Sequence, residues 1–202
     1  ISTLVLLEVM KEENVKNIVF SSSATVYGDP KYLPIDEKHP LSTTNPYGTT
    51  KLFIEQILED VYKADNDMNI VILRYFNPVG SDKMHLLGEN PNGIPNNLVP
   101  YIVKVATKKL ESLNVFGNDY DTVDGSGVRD YIHVIDLAIG HVKAIEYMKN
   151  NKGILKVNLG TGKGNSVLEL IEKFEKVNKV KIPYKIVERR KGDIATCYAD
   201  TK

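Results

Sequence analysis

The chain of 202 residues is long enough for one large domain or two small ones, and for a real hydrophobic core. Lys+Arg and Asp+Glu stand at 26 each, so no net field draws it to nucleic acid or to a membrane, and local groups must hold any anionic ligand. A lone cysteine, Cys197, excludes an intrachain disulfide and suits a reducing, cytoplasmic compartment, and no apolar run approaches the roughly 18 residues of a membrane span.

The opening ISTLVLLEVMKEEN lacks the basic start and cleavage site of a secretory signal. Its apolar spacing predicts a helix instead, with Asn14 near its end. KNIVFSSS predicts a β-branched strand that runs out into Ser21, Ser22 and Ser23. Residues 28–46, with Gly28, Asp29, Pro30, Pro34, Pro40 and Pro46, predict a long loop. Asn45 and Pro46 then start a helix that runs to about Ala64, with Leu52, Ile54, Ile57, Leu58 and Val61 on its apolar face. NIVILRYFNPVG predicts a second buried strand ended by Asn77 and Pro78. Strand, loop, helix and strand in this order predict βαβ units and a parallel sheet.

The second half is more broken. Residues 80–95 predict a loop, 96–109 a helix, LNVFG a short strand and NDYDTVDGSG a polar turn. DLAIGHVKAIEYMK predicts an amphipathic helix started by Asp136. KVNLGTGKGNS predicts a strand feeding a glycine loop, followed by a helix whose capping box is Ser166 with Glu169. IPYKIVERRKGD closes with a strand and a basic turn. Without repeats or an obvious linker, the halves are expected to share one body.

Three Tyr-x-x-x-Lys spacings occur: Tyr27–Lys31, Tyr47–Lys51 and Tyr198–Lys202. Residues four apart on a helix share a face. A free tyrosine has a pKa of about 10, and a nearby ammonium favours the phenolate, which makes a usable proton acceptor. Gly28, Asp29 and Pro30 break the first spacing, and the third has no upstream partner. Tyr47–Lys51 opens a convincing helix, where the dipole also favours an anion. The pair alone fits a solvated surface equally well. Ser21, Ser22 and Ser23 leave a strand at its carboxyl end, where ligands bind open α/β sheets. Serine, tyrosine and lysine in that order are far more specific than the pair.

GTGKGNS mimics a dinucleotide loop, but Asn165 stands where the fingerprint needs glycine, and Lys163 is out of frame for a phosphate-binding P-loop. It reads as a turn. His39, His85, His133 and His141 show no metal-ligand spacing and read as loop or core residues. Asp119, Asp121 and Asp124 lack a calcium-loop pattern and read as solvated. No metal is expected.

FSSSATVYGDP, NPYGTTKLFIEQIL, LRYFNPVGS, GIPNNLVPYI, LNVFGNDYDTVDGSGVRDYIHVIDLAIGH, VNLGTGKGNSVLELI and ERRKGDIATCYAD follow one another over nearly the whole chain. In these blocks the chain resembles the extended short-chain dehydrogenase/reductases, and within them the UDP-glucose 4-epimerase family, with a lean toward its eukaryotic members. The resemblance implies an incomplete doubly wound Rossmann-type parallel sheet, with a smaller mixed α/β region for the substrate. Residues 1–80 would be the C-terminal part of the NAD-binding domain, and 81–202 a UDP-sugar region partly interleaved with it.

By the same resemblance Ser23, Tyr47 and Lys51 form the catalytic set, and Ser22, Tyr47, Lys51 and Tyr75 meet the cofactor NAD. Tyr47 would take the proton of the sugar 4-hydroxyl as hydride leaves C4, and a 4-keto sugar would turn in the site before reduction on its other face. Arg129 and Arg190 would hold the diphosphate, and Asp193 the nucleotide ribose. Asn77 and Asn97 would bond the nucleotide-sugar, with Ser23, Tyr47, Phe76, Leu98 and Asn114 completing the contacts. Phe116 would pack on the uracil, although a core position suits it equally; the plain alternative for Arg129 is a salt bridge to Asp130. Cys197 would face the sugar where many relatives carry tyrosine, leaving room for an N-acetyl group and so for UDP-GlcNAc and UDP-GalNAc.

Related dehydratases carry an acid–base pair after the strand; here Ala24 and Thr25 stand there, which favours epimerisation over another sugar-nucleotide reaction. The glycine loop expected to cradle the NAD diphosphate is absent from these residues. The chain is therefore expected to be a fragment that binds NAD poorly and is inactive by itself, and a nucleotide-binding remnant is the other reading. A homodimer with contacts near residues 47–64 is usual for the family.

Overall fold

The computed structural model describes residues 2–84 and 86–202; His85 lies outside the described residues. Helix α1 (Ser2–Glu12) stops before Asn14, whose φ of 54° is the left-handed conformation that closes helices. Strand β1 (Asn17–Ser23) passes into a 3₁₀ turn (Ala24–Tyr27). Helix α2 (Pro46–Ala64) begins as its sequence predicts, with the Asn45 side chain accepting from Gly48 N at 2.9 Å and Pro46 in the first turn. Strand β2 (Asn69–Tyr75) is buried along nearly its whole length.

Asn77 and Pro78 do not simply end that strand. They open a separate short strand, β3 (Asn77–Val79), in another sheet. The switch comes at Phe76, which is buried and bonds its N–H to Leu159 O at 3.0 Å. Helix α3 (Leu98–Ala106) and strand β4 (Leu113–Phe116) follow. Strand β5 (Val128–His133) was not legible, because a charged residue, Asp130, occupies the buried middle of its alternation. Helix α4 (Val134–Asn150) starts two residues earlier than predicted, capped by the His133 side chain, with Asp136 inside its first turn.

Strand β6 (Gly153–Leu159) leads to a glycine turn and a short strand, β7 (Gly164–Ser166), where a simple turn was expected. Helix α5 (Val167–Asn178) carries the full Ser166–Glu169 capping box. Strands β8 (Tyr184–Val187) and β9 (Thr196–Cys197) complete the elements.

The parallel sheet runs β1-β2-β6, with β2 central. Leu58, Ile70, Ile72 and Met10 pack on one face under α1 and α2, and Val71, Leu73 and Ala144 pack on the other under α4. Such two-sided cover is what a continuous apolar strand requires. A second core gathers Ile102, Val105, Leu113, Val115, Ile171 and Ile182 from α3, β4, α5 and the segment before β8. Between them lies β5, parallel to β3 and β9 and antiparallel to β7.

Candidate functional site

Ser23 ends β1 and caps the 3₁₀ turn: its Oγ accepts from Thr25 N at 3.3 Å and from Thr25 Oγ1 at 3.0 Å. The first turn of α2 packs directly on this turn. A Cβ at Gly48 would stand 2.8 Å from Thr25 O, so only glycine allows the approach. The contact joins the turn of α2 that carries Tyr47, its second residue, to the turn that Ser23 caps.

Tyr47 is 56% exposed and lies one turn before Lys51, whose Nζ is 5.7 Å from the tyrosine ring centroid. That ammonium donates to Ser21 O at 2.8 Å and lies 5.2 Å from the Phe20 ring centroid. Partial burial pulls the Lys51 pKa below its ordinary value. Tyr75, at the end of β2, donates to Ser21 Oγ at 2.6 Å and meets His141 of α4 at its other side. Burial raises its pKa. Ser22 points away from these groups, fully buried, with its hydroxyl donating to Glu55.

Below the strand ends lies a buried polar frame. Arg74 donates to both Glu55 oxygens, at 3.1 and 2.6 Å, and to the Tyr27 hydroxyl at 2.9 Å. Tyr27 in turn donates to Asn158 at 2.7 Å, and Asn158 N donates to Glu37 at 2.7 Å. Burial pushes the Tyr27 pKa up to about 12. These groups tie α2, β2, β6 and the 28–46 loop together around Ser23. Sequence reasoning passed over them, although a signal existed: Glu55 lies between Leu52 and Leu58 on the apolar face of its helix, and Arg74 closes an otherwise apolar strand.

A cleft opens at the carboxyl ends of β1 and β2, lined by Ser23, Thr25, Asn45, Tyr75, Phe76, Asn77, Arg129, Asp193 and Cys197 among others. Seven of the residues expected at the site thus share one wall. Tyr47, Lys51, Ser22 and Arg190 are not part of it. Cys197 is buried, and desolvation pushes its thiol up to about 11. Arg129 does not pair with Asp130: its Nη1 donates to Val128 O at 2.8 Å and Ala195 O at 3.3 Å. Arg190 pairs with Asp193 at 2.9 Å and lies 4.7 Å from the Phe116 ring centroid. Phe116 is half-buried at the end of β4, and Asn114 sits two residues before it. Asn97 precedes α3 from an exposed position without a side-chain capping bond, donating instead to Glu89 at 2.6 Å, and Leu98 packs into the second core.

Asp130 organises the glycine run. Its buried carboxylate accepts from Thr161 N, Gly162 N and Ala199 N at 2.8 to 3.2 Å, so the backbone donors of that turn are already used. Asp124, expected in solvent, instead accepts from Ser126 Oγ at 2.7 Å and from Ser166. No cluster of metal-ligating side chains occurs among the described residues. Lys51 and Tyr75 both bond Ser21 at the carboxyl end of β1, while the donors of the glycine turn are spent on Asp130.

Strand-end serine, helix-borne tyrosine and lysine, and an arginine across the cleft define a Rossmann-type α/β protein with a ligand site at the carboxyl edge of its sheet. The chain belongs to the NAD dependent epimerase/dehydratase family, whose family model matches residues 1–160. It is 61% identical to UDP-glucose 4-epimerase of Pasteurella multocida over 98% of this chain and 59% of that one. It is 58% identical to the human UDP-glucose 4-epimerase, over 98% and 57%. The expected lean toward eukaryotic members is thus not seen. Among solved structures, the Bifidobacterium longum UDP-glucose 4-epimerase in complex with NAD+ and UDP superposes with a TM-score of 0.96 at 62% identity, over 98% of this chain and 59% of that one. The chain spans about three-fifths of the length of these relatives.

Proposed function

We propose that the full-length protein interconverts UDP-glucose and UDP-galactose with NAD as bound cofactor. The observation that carries this reading is the packing of Gly48 on Thr25, which joins the first turn of α2, with Tyr47 and Lys51, to the turn capped by Ser23. Residues 1–80 are the catalytic end of the nucleotide-binding half, and 81–202 build the sugar-nucleotide half, returning 153–159 to the first sheet.

Lys51 and Tyr75 would hold the cofactor at the strand ends, with Ser22 contributing through its backbone. When bound, NAD supplies reversible hydride acceptance at the sugar C4. Tyr47 takes the proton from the 4-hydroxyl and returns it after the sugar has turned. The Lys51 ammonium stabilises negative charge on the tyrosine oxygen, and Ser23 bonds the sugar hydroxyl. Arg129 and Arg190 hold the diphosphate, Asp193 the ribose and Phe116 the uracil; Phe76, Asn77, Asn97, Leu98 and Asn114 complete the contacts. Anchoring through UDP leaves the hexose free to turn.

Ala24 and Thr25 supply no carboxyl pair for elimination, which supports epimerisation over dehydration. Cys197 leaves more space at the cleft than a tyrosine would, in keeping with action on UDP-GlcNAc and UDP-GalNAc too. The exposed Leu4, Val5 and Val9 of α1 and Phe53 of α2 supply an apolar face for a homodimer. No described helix is long and apolar enough to cross a membrane, and a free Cys197 supports the cytoplasm. The test is direct: the full-length protein given UDP-galactose should yield UDP-glucose without added oxidant. No conversion, or a dehydrated product, defeats the reading; conversion of UDP-galactose but not UDP-GalNAc defeats only the N-acetyl extension.

A further inference from the structure

Among the described residues one buried side-chain polar atom has no hydrogen-bond partner, the hydroxyl of Tyr120. Buried hydroxyls are nearly always bonded, so an exception asks for a reason. Packing does not give one. The ring is held by Arg189, whose guanidinium lies 4.0 Å from its centroid, and by Gly117, where a Cβ would meet Cε2 at 2.7 Å. Arg189 is itself fixed by Asp119, through Oδ1 at 2.7 Å and the backbone O at 2.6 Å. A phenylalanine would fill the same space, so the hydroxyl is surplus to the packing.

Its surroundings are those of the anion site. Burial first, and then the charge of Asp193, keep its proton on; Arg189, Arg129 and Arg190 act on it in the opposite sense. It is a buried, unpartnered donor next to Arg189 and within electrostatic reach of Asp193, which it does not bond. That carboxylate is engaged: Asp193 Oδ2 accepts from Arg190 Nε at 2.9 Å. Arg190 and Asp193 thus neutralise each other, although each is assigned a different part of the ligand. When Arg190 turns to a diphosphate, Asp193 is left half-buried without its counter-charge.

We propose that Tyr120 is a positioning residue of the UDP site: its hydroxyl bonds Asp193 when Arg190 goes over to the diphosphate, and so fixes the carboxylate toward the ribose. This rests on the assignment of Arg190 and Asp193 to UDP. The exposed Arg190–Asp193 pair makes such an exchange cheap, since surface ion pairs contribute little. A hydrogen bond to a charged group, by contrast, is among the stronger kinds.

The experiment is calorimetric titration of the full-length protein with UDP, for wild type, Tyr120→Phe, Asp193→Asn and the double variant. Tyr120→Phe should weaken UDP about tenfold, and the double variant should bind no more weakly than Asp193→Asn. Its melting temperature should not fall, because the hydroxyl removed has no partner in the free protein. Unchanged affinity in Tyr120→Phe overturns the proposal, as do losses that multiply in the double variant or a lowered melting temperature. A wild type that does not bind UDP overturns the assignment of the site itself.

Discussion

Two arginine–carboxylate pairs serve the cleft in opposite ways. Arg74–Glu55 lies beneath the strand ends with side chains 1% and 0% exposed, paired through two arms, with the third arm on Tyr27 and Glu55 also accepting from Ser22. Arg190–Asp193 lies at the rim, 51% and 24% exposed, joined by a single contact within one turn. A buried pair cannot be opened without stranding a charge, whereas an exposed pair exchanges partners at little cost. The first therefore makes a frame and the second a gripping surface. The proposed catalytic groups stand on the frame, and the proposed UDP contacts belong to the surface.

The comparison breaks most directly at Glu55. Replacement by glutamine leaves Arg74 charged and buried, and should cost about 3–5 kcal/mol in urea unfolding. Gly48→Ala comes next, because its Cβ would stand 2.8 Å from Thr25 O and push α2 off the Ser23 turn. Turnover of the full-length protein should fall by roughly 10²-fold, as a displacement near 1 Å does elsewhere, while UDP affinity is kept. Equal loss of both would place the contact outside the catalytic set. Smaller is an alkaline effect. Burial raises Tyr27 and Tyr131 from 10.0 to about 12 and Cys197 from 9.0 to about 11. The unfolded chain gives up these protons first and holds fewer of them above pH 9, so their stabilising contribution is complete below that pH and lost as pH rises further. Lys51, lowered by burial, works singly in the other direction. Denaturation midpoints should be level from pH 7 to 8.5 and lower at pH 10. Least of all, Asp193→Asn should change unfolding by under about 1 kcal/mol, while it weakens UDP.

What could be read from the sequence follows from the same contrast. Local rules act within one element, so the Asn45 cap, the α2 stripe, the Ser166–Glu169 box and the apolar run of β2 were all legible. Residues such as Asp130 and Glu55 were not, because each breaks the hydrophobic pattern of its own element and finds its partners far along the chain. Strand β5 was lost for that reason, and with it the strand that places Arg129 at the cleft. The plain alternative for Arg129, a bridge to Asp130, does not form, because neighbours on a strand point to opposite faces. Tyr120 gave no signal at all, since an unmet donor exists only in three dimensions.

The central claim is that Tyr47 moves the proton while the rim holds the nucleotide. Replacing Tyr47 by phenylalanine in the full-length protein and measuring epimerisation beside UDP affinity tests it most directly. Turnover should fall by at least about 10³-fold with UDP affinity within twofold of wild type. Retained turnover, or loss of UDP binding together with turnover, would contradict the account and make Tyr47 a structural residue.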